Sequence, residues 1–320
     1  MKTSVNVELT KRCNARCITC PRKAIKKIGD MKLSVFRILL NRIWQDRGKI
    51  SMVNLSGYGE SILYKDFFKI LKLIKEFNNK LEKQGEKPLR FAVVTNAHAL
   101  DKKKLEAMDG VLDRLSISFA TINPENYKKI HLGLNYNKVV ENIKLARKIL
   151  KKTRIVLHLT PTRFTMDDIP DTVKYWRARG IREIVLFPFT FNRAGKLKVR
   201  NTHLDIDQVR NLKLARKLRL KQLEEVFIPG IKDLFLVLTK KDICLTKLAC
   251  LYIDFEGNWH NCINDISSAC IIGNIKSMGI TDALNKAGNY KICKECNMKN
   301  GINKGSLIKI FINSMLAMKE

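Results

Sequence analysis

Two periodicities alternate along the first two-thirds of the chain. Short runs rich in β-branched and aromatic residues predict strands over 4–9, 50–55, 91–94, 112–117, 154–159 and 183–187. Between them, apolar residues recur every three or four positions and predict helices over 33–46, 67–81, 102–108, 137–151 and 168–179. In the first of these helices the spacing is carried by Val35, Ile38, Leu39 and Ile43. Six strand–helix repeats of this kind predict an α/β fold: a parallel sheet with helical crossovers, open or closed into a barrel. In either form, ligands bind at the carboxyl ends of the strands.

The pattern then changes. Residues 209–220 predict a helix carrying Arg210, Lys213, Arg216, Lys217 and Arg219 with no acid; such a face tracks phosphates or is simply solvated. From Cys244 to Cys296 the chain is cysteine-rich and short of long helices, and 307–318 predicts an apolar-spaced helix that closes a domain. The division expected is a barrel over 1–200, a basic connector over 201–240, a small cysteine-rich α+β module over 241–300 and a final helix over 301–320.

Composition sharpens this picture. The 320 residues include 61 Lys+Arg against 30 Asp+Glu, a formal charge of +31, yet 45% are hydrophobic, which excludes wholesale disorder. The charge predicts a field attractive to nucleic acid, anionic lipid or acidic peptide; a solvated lysine surface accounts for it equally well. No signal-type apolar segment opens the chain, and no stretch approaches the ~18 apolar residues of a membrane span. The expectation is a cytoplasmic protein with no membrane partner. In that compartment the nine cysteines, an odd number, suit metal ligation better than disulfides.

Three of them, Cys13, Cys17 and Cys20, lie within eight residues immediately after the first strand, in TKRCNARCITCPR. Three thiolates from one tight loop wrap one small metal centre. Structural zinc and electron-transfer cubanes take four ligands, so three leave one position open for chemistry. The alternative is a zinc knuckle completed by a distant residue.

The CxxxCxxC loop after a first barrel strand resembles that of the radical S-adenosylmethionine (SAM) enzymes. The resemblance implies a partial (β/α)6 TIM-type barrel and a 4Fe–4S cluster held by Cys13, Cys17 and Cys20. SAM would chelate the fourth iron, and an electron from the cluster would split the sulfonium. The 5′-deoxyadenosyl radical then abstracts hydrogen from substrate. It also implies an electron donor such as ferredoxin or flavodoxin. Thr19 stands where relatives often place an aromatic residue against adenine.

Further motifs follow in family order. Ser56-Gly57-Tyr58-Gly59-Glu60 resembles the GGE motif, its glycines allowing close backbone approach and Glu60 accepting from the methionyl ammonium. Thr95-Asn96-Ala97 resembles the TNG segment with Ala for Gly, which makes Asn96 a cofactor contact. Ser116-Ile117-Ser118 stands where relatives read Ser-x-Asp, leaving Ser116 as a ribose or carboxylate contact. His131 occupies a position where relatives often carry Arg for the SAM carboxylate; a lone His there is ordinarily surface. Arg193, in Asn192-Arg193-Ala194-Gly195, resembles a segment flanking the cofactor. The resemblance covers roughly residues 3–200.

Six further cysteines fall within 53 residues. Cys250 and Cys262 flank a predicted hairpin turning at Gly257, and Cys293-Lys294-Glu295-Cys296 supplies a CxxC, together a four-ligand set. Zinc fits by ligand count. Beside a radical SAM barrel the set resembles the SPASM/twitch auxiliary module, in its shortened form because no cysteine follows Cys296. That resemblance implies a second, auxiliary 4Fe–4S cluster on Cys250, Cys262, Cys293 and Cys296. Cys244 is a possible extra ligand and Cys270 a plain buried thiol.

The leading expectation is therefore an enzyme that cleaves SAM reductively and modifies or oxidises a peptide or protein. A strand starting at residue 4 leaves no recognition domain ahead of the barrel, which weakens the leader-peptide version. One alternative is oxidation or rearrangement of a small metabolite such as an amino sugar or nucleotide. Another is a non-catalytic, metal-stabilised nucleic-acid binder. The charge favours an acidic peptide, a phosphorylated molecule or RNA.

Overall fold

A computed structural model describes residues 2–22, 25–186 and 250–286, apart from 261 and 267, with isolated positions at 214, 217, 218, 220, 235 and 312. Strands β1 (Thr3–Val7), β2 (Ile50–Leu55), β3 (Phe91–Thr95), β4 (Arg114–Ser118), β5 (Arg154–Leu159) and β6 (Glu183–Leu186) pair in parallel in sequence order. Helices α1 (Leu33–Asp46), α2 (Phe67–Lys83), α3 (Lys102–Met108), α4 (Pro124–Ile130), α5 (Tyr136–Ile149) and α6 (Ile169–Ala178) fill the crossovers. This is the expected α/β fold with the parallel sheet of a partial TIM-type barrel.

Strand parity decides what the sheet faces. Val5, Val7, Leu9, Val53, Leu55, Phe91, Val93, Leu115, Ile117, Leu157 and Leu159 alternate along five strands, and all belong to one buried core cluster with the helices. That core takes Val35, Phe36, Leu39, Leu40 and Ile43 of α1 and Ile70, Leu71, Ile74 and Phe77 of α2. Burying side chains of this size contributes about 1.5–3 kcal/mol each. The opposite parity places Asn6, Glu8, Asn54, Ser116 and His158 on the inner face, all buried. A TIM-type barrel normally fills that space with branched apolar residues. Here it is polar.

Helix α4 is absent from the expected elements, and the reason is compositional. PENYKKI has no apolar period of its own, burying only Tyr127 and Ile130. It is instead set by its start: Asn123 Oδ1 accepts from the Glu125 and Asn126 amides, and Pro124 occupies the first turn.

After β6 the next described strand is β7 (Cys250–Ile253), which pairs in parallel with β1. Strands β8 (Asn258–His260) and β9 (Ile271–Asn274) continue antiparallel, and α7 (Ile280–Lys286) follows. The sheet order is β6-β5-β4-β3-β2-β1-β7-β8-β9. The described part of the cysteine-rich region thus shares the barrel's sheet. Gly257 turns the β7–β8 hairpin with a positive φ of 86°, as its position in the sequence suggested. Among the described residues no helix is long and apolar enough to cross a membrane.

Candidate active site

The cysteine loop leaves β1 at the carboxyl end of the strands and is held from two sides. Its outer edge pairs with the turn after α4: Arg16 N donates to Leu132 O at 2.8 Å and Ile18 N to Ile130 O at 3.0 Å. Its inner edge rests on the loop after β2, where Glu60 N donates to Arg12 O at 2.8 Å. Gly59 makes that approach possible, since a Cβ there would stand 2.0 Å from Thr10 O. A Cβ at Gly57 would stand 2.6 Å from the Glu8 side chain. Both glycines therefore serve first to seat the β2 loop against the start of the cysteine loop.

Cys13, Cys17 and Cys20 are each partly exposed. Burial pushes the Cys17 thiol up to about 12, and the neighbouring Cys20 and Cys13 sulfurs add to the rise. Burial also raises Cys13. With their pKa raised, Cys13 and Cys17 stay protonated until a cationic occupant binds, deprotonates them and offsets the repulsion between the thiolates. Among the described residues no three His, Cys, Asp or Glu side chains converge as tightly as a single metal ion requires.

Asn96, at the end of β3, links the neighbouring strand ends. Its amide donates to Glu60 Oε2 at 2.7 Å, its Nδ2 to Asn14 Oδ1 at 2.8 Å, and the same Nδ2 lies 3.9 Å from Cys13 Sγ. Glu60 is buried, and burial lifts its carboxyl to about 7. Glu60 Oε1 and Ser116 Oγ are buried without a hydrogen-bond partner among the described residues. An unmatched carboxylate oxygen on Glu60, close enough to act on the Cys13 and Cys17 thiols, suits a polar ligand; Ser116 lies deeper, paired with Val94 in the middle of β4. Ala97, the residue after Asn96, takes a positive φ of 62°.

The sequence left His131 either in the place of a carboxylate-pairing Arg or at the surface; the structure buries it. It caps α4 and brings Nδ1 to 3.2 Å from Cys17 Sγ, with Tyr127 stacked on its ring at 4.6 Å. Burial lowers its pKa to about 4, so it is a neutral ring. Lys128 and Lys129 turn away to Glu125 and Asn126. No local sequence signal points His131 at a cysteine 114 residues away.

In the second cysteine group, Cys250 begins β7 and its sulfur accepts from Asn6 Nδ2 on β1. Cys262 is buried and lies two residues beyond the end of β8, its sulfur accepting from Asn264 N at 3.3 Å. Behind them His260 lies between Asp254 and Asp265, at 2.9 and 3.3 Å, and Asp265 Oδ2 also accepts from Cys270 N at 2.7 Å. Arg193, Cys244, Cys293 and Cys296 lie outside the described residues, as do most of 201–240 and 301–320.

Parallel sheet, strand-end cysteine loop and glycine–glutamate turn define an enzyme fold built around a sulfur-ligated centre. The sequence profile of the radical SAM superfamily matches residues 7–175, more than half the chain, and the chain belongs to that superfamily. Its members are enzymes that use a 4Fe–4S cluster and SAM. Among curated relatives, a probable GTP 3′,8-cyclase of Methanocaldococcus jannaschii is 26% identical over 185 residues, 58% of this chain and 58% of that protein. A GTP 3′,8-cyclase of Limosilactobacillus fermentum is 31% identical over 183 residues, 55% of this chain and 51% of that protein. The chain thus spans only about half the length of the curated relatives it matches. Among solved structures, anSMEcpe with bound S-adenosylmethionine superposes with a TM-score of 0.69 at 15% identity, covering 99% of this chain and 97% of that one. Streptococcus suis SuiB bound to precursor peptide SuiA gives 0.68 at 13% identity, covering 97% and 73%. At such identities these structures speak for the fold alone.

Proposed function

We propose that the protein cleaves SAM reductively and uses the product to oxidise or rearrange a small anionic metabolite, with a nucleotide as the best-supported class. Cys13, Cys17 and Cys20 would hold the cluster. When bound, cluster and SAM supply one-electron cleavage of a sulfonium and a hydrogen-abstracting carbon radical. The chain's own residues would do the rest. Asn96 Nδ2 directs an N–H toward the Cys13 sulfur and favours its anionic form. Glu60, anchored on the Asn96 amide, holds an unmatched carboxylate oxygen for the methionyl ammonium. Ser116 Oγ offers a hydroxyl from β4, and Gly57 and Gly59 seat the loop that presents Glu60. Arg193 would flank the cofactor from beyond β6.

The observation that carries this reading is the bonded path Cys13–Asn96–Glu60 across the ends of β1, β3 and β2. The substrate class rests on the curated relatives named for GTP; the formal charge of +31 suits any anionic substrate alike. Peptide modification ranks second, because the peptide-bound neighbour is similar at 13% identity only. For the auxiliary cluster the proposed ligands are Cys250, at the start of β7, and Cys262, two residues past the end of β8, with Cys293 and Cys296 as the rest.

The test is anaerobic reconstitution with iron and sulfide, then dithionite and SAM, with 5′-deoxyadenosine quantified alone and with panels of nucleotides and acidic peptides. Release stimulated by a nucleotide is the expected result. Stimulation by peptides alone would reverse the substrate ranking. A colourless protein with zinc in the loop and no release would end the reading.

A further inference from the structure

Tyr58 stands between Gly57 and Gly59, whose close contacts with Thr10 and Glu8 do not involve its side chain. It is nevertheless buried, and each of its polar groups is tied to a different part of the chain. The amide donates to Glu8 Oε1 at 2.9 Å, at the end of β1. The carbonyl accepts from Arg22 Nη1 at 3.3 Å, and that same nitrogen donates to Lys11 O at 3.1 Å. Arg22 follows Cys20 by two residues and Lys11 precedes Cys13 by two, so one guanidinium nitrogen closes the cysteine loop at both ends and holds it to Tyr58. The hydroxyl reaches the other way. It donates to the carbonyl of Ile263, the residue after Cys262 and 205 positions along the chain.

The ring supports the same bridge. It packs edge-to-face on Tyr252, centroids 6.1 Å apart, two residues from Cys250. Tyr58, Tyr252 and Ile266 form a small apolar cluster separate from the main core, with Ile25 and Ile263 against it. That cluster draws Tyr58 from beside the cysteine loop, Tyr252 from β7 and Ile266 from the connection between β8 and β9.

We propose that Tyr58 is a positioning residue that couples the two cysteine sites: SAM seated over Cys13, Cys17 and Cys20 orders the segment Cys262–Cys270 through the Tyr58 hydroxyl. The proposal rests on the SAM-binding reading above. Its physical content is a linkage. A ligand that stiffens the glycine loop stiffens what that loop is bonded to, and beside the apolar packing of the ring the directional contact by which the two segments share that constraint is the hydroxyl–carbonyl bond.

The test uses full-length reconstituted protein and hydrogen–deuterium exchange read by mass spectrometry, with and without SAM, in wild type and Tyr58→Phe. In wild type, SAM should slow exchange at 13–22 and 56–60, and at 262–270 by about tenfold. In Tyr58→Phe, SAM should still protect 13–22 while the response at 262–270 falls to less than about twofold. Tyr252→Phe, which keeps its ring, should transmit as wild type does. Equal protection of 262–270 in wild type and Tyr58→Phe overturns the proposal. If Tyr58→Phe does not fold, the wild-type arm still decides: protection at 13–22 with none at 262–270 refutes the coupling and leaves SAM binding intact. No protection anywhere refutes SAM binding itself, and the coupling with it.

Discussion

The neutral ring of His131 touches the sulfur of Cys17, Nδ1 to Sγ 3.2 Å, and so makes a residue that sequence left between cofactor contact and surface the back wall of the cysteine loop. With Arg16 and Ile18 bonded to the same turn, the loop's outer edge is fixed before any ligand arrives. Replacing Cys17 by Ala should abolish 5′-deoxyadenosine formation while circular dichroism stays unchanged. Replacing His131 by Ala should leave the fold intact but lower iron retention in the N-terminal site, with deoxyadenosine release falling about tenfold. Iron analysis beside chromatography of the products checks both.

Glu60 predicts a pH dependence with a definite sign. Burial raises its folded pKa from 4.5 to about 7, so the folded state binds this proton more tightly than the unfolded state does. Its contribution to stability is fully present below pH 4.5 and is lost as pH rises through 7. Glu60→Gln keeps an acceptor for the Asn96 amide and removes the charge. Urea titrations of the SAM-free protein should show the variant gaining roughly 1–3 kcal/mol on wild type between acid and mildly alkaline buffer. Parallel curves would contradict this.

At Gly59 the obstacle to a side chain is backbone, not a side chain that swings aside. Gly59→Ala puts its methyl carbon 2.0 Å from Thr10 O, and the collision separates the β2 loop from the cysteine loop. A loss of about 3 kcal/mol or more is expected, with iron binding lost as well. Thermal unfolding and metal content would report the two effects separately.

Ala97 should behave in the opposite way. Its φ of 62° costs a non-glycine residue about 1–2 kcal/mol, whereas losing a buried methyl and gaining unfolded-chain freedom costs a similar amount. Ala97→Gly is therefore expected within about 1 kcal/mol of wild type. Ala92→Gly, equally buried in β3, lacks the compensating relief and should cost about 1–2 kcal/mol.

For the second cysteine group, Cys293→Ala should remove about half the bound iron if two clusters of equal size are present. Product formation should suffer more than SAM cleavage. Full iron content in that variant would mean the ligand set is wrong.

What the sequence disclosed and what it withheld follow one physical rule. Cys13, Cys17, Cys20, Gly57, Gly59, Glu60 and Asn96 are legible because each group is contiguous and follows a strand with strong alternation. Five of the helices are legible because their apolar spacing is regular, whereas α4 has none and is set by Asn123 and Pro124. His131 against Cys17, Asn14 against Asn96 and Tyr58 against Ile263 are pairings 114, 82 and 205 residues apart, created only when the sheet brings the strand ends together. The inner-face carboxyl of Glu8 was the one hint available, a charge at an inward position between Val7 and Leu9. It is the acceptor that holds Tyr58.

The position of β1 between β2 and β7 governs when the molecule can be finished. The strand that launches the cysteine loop lies near the amino terminus, yet one of its edges stays bare until residues 250–253 have been made and docked. On a ribosome that delay lasts about ten seconds or more, during which an unpaired, apolar strand edge is open to wrong partners. Cofactor loading into a properly closed site must then follow synthesis, and cells short of chaperone capacity should accumulate this chain as colourless aggregate before any defect in its chemistry becomes visible.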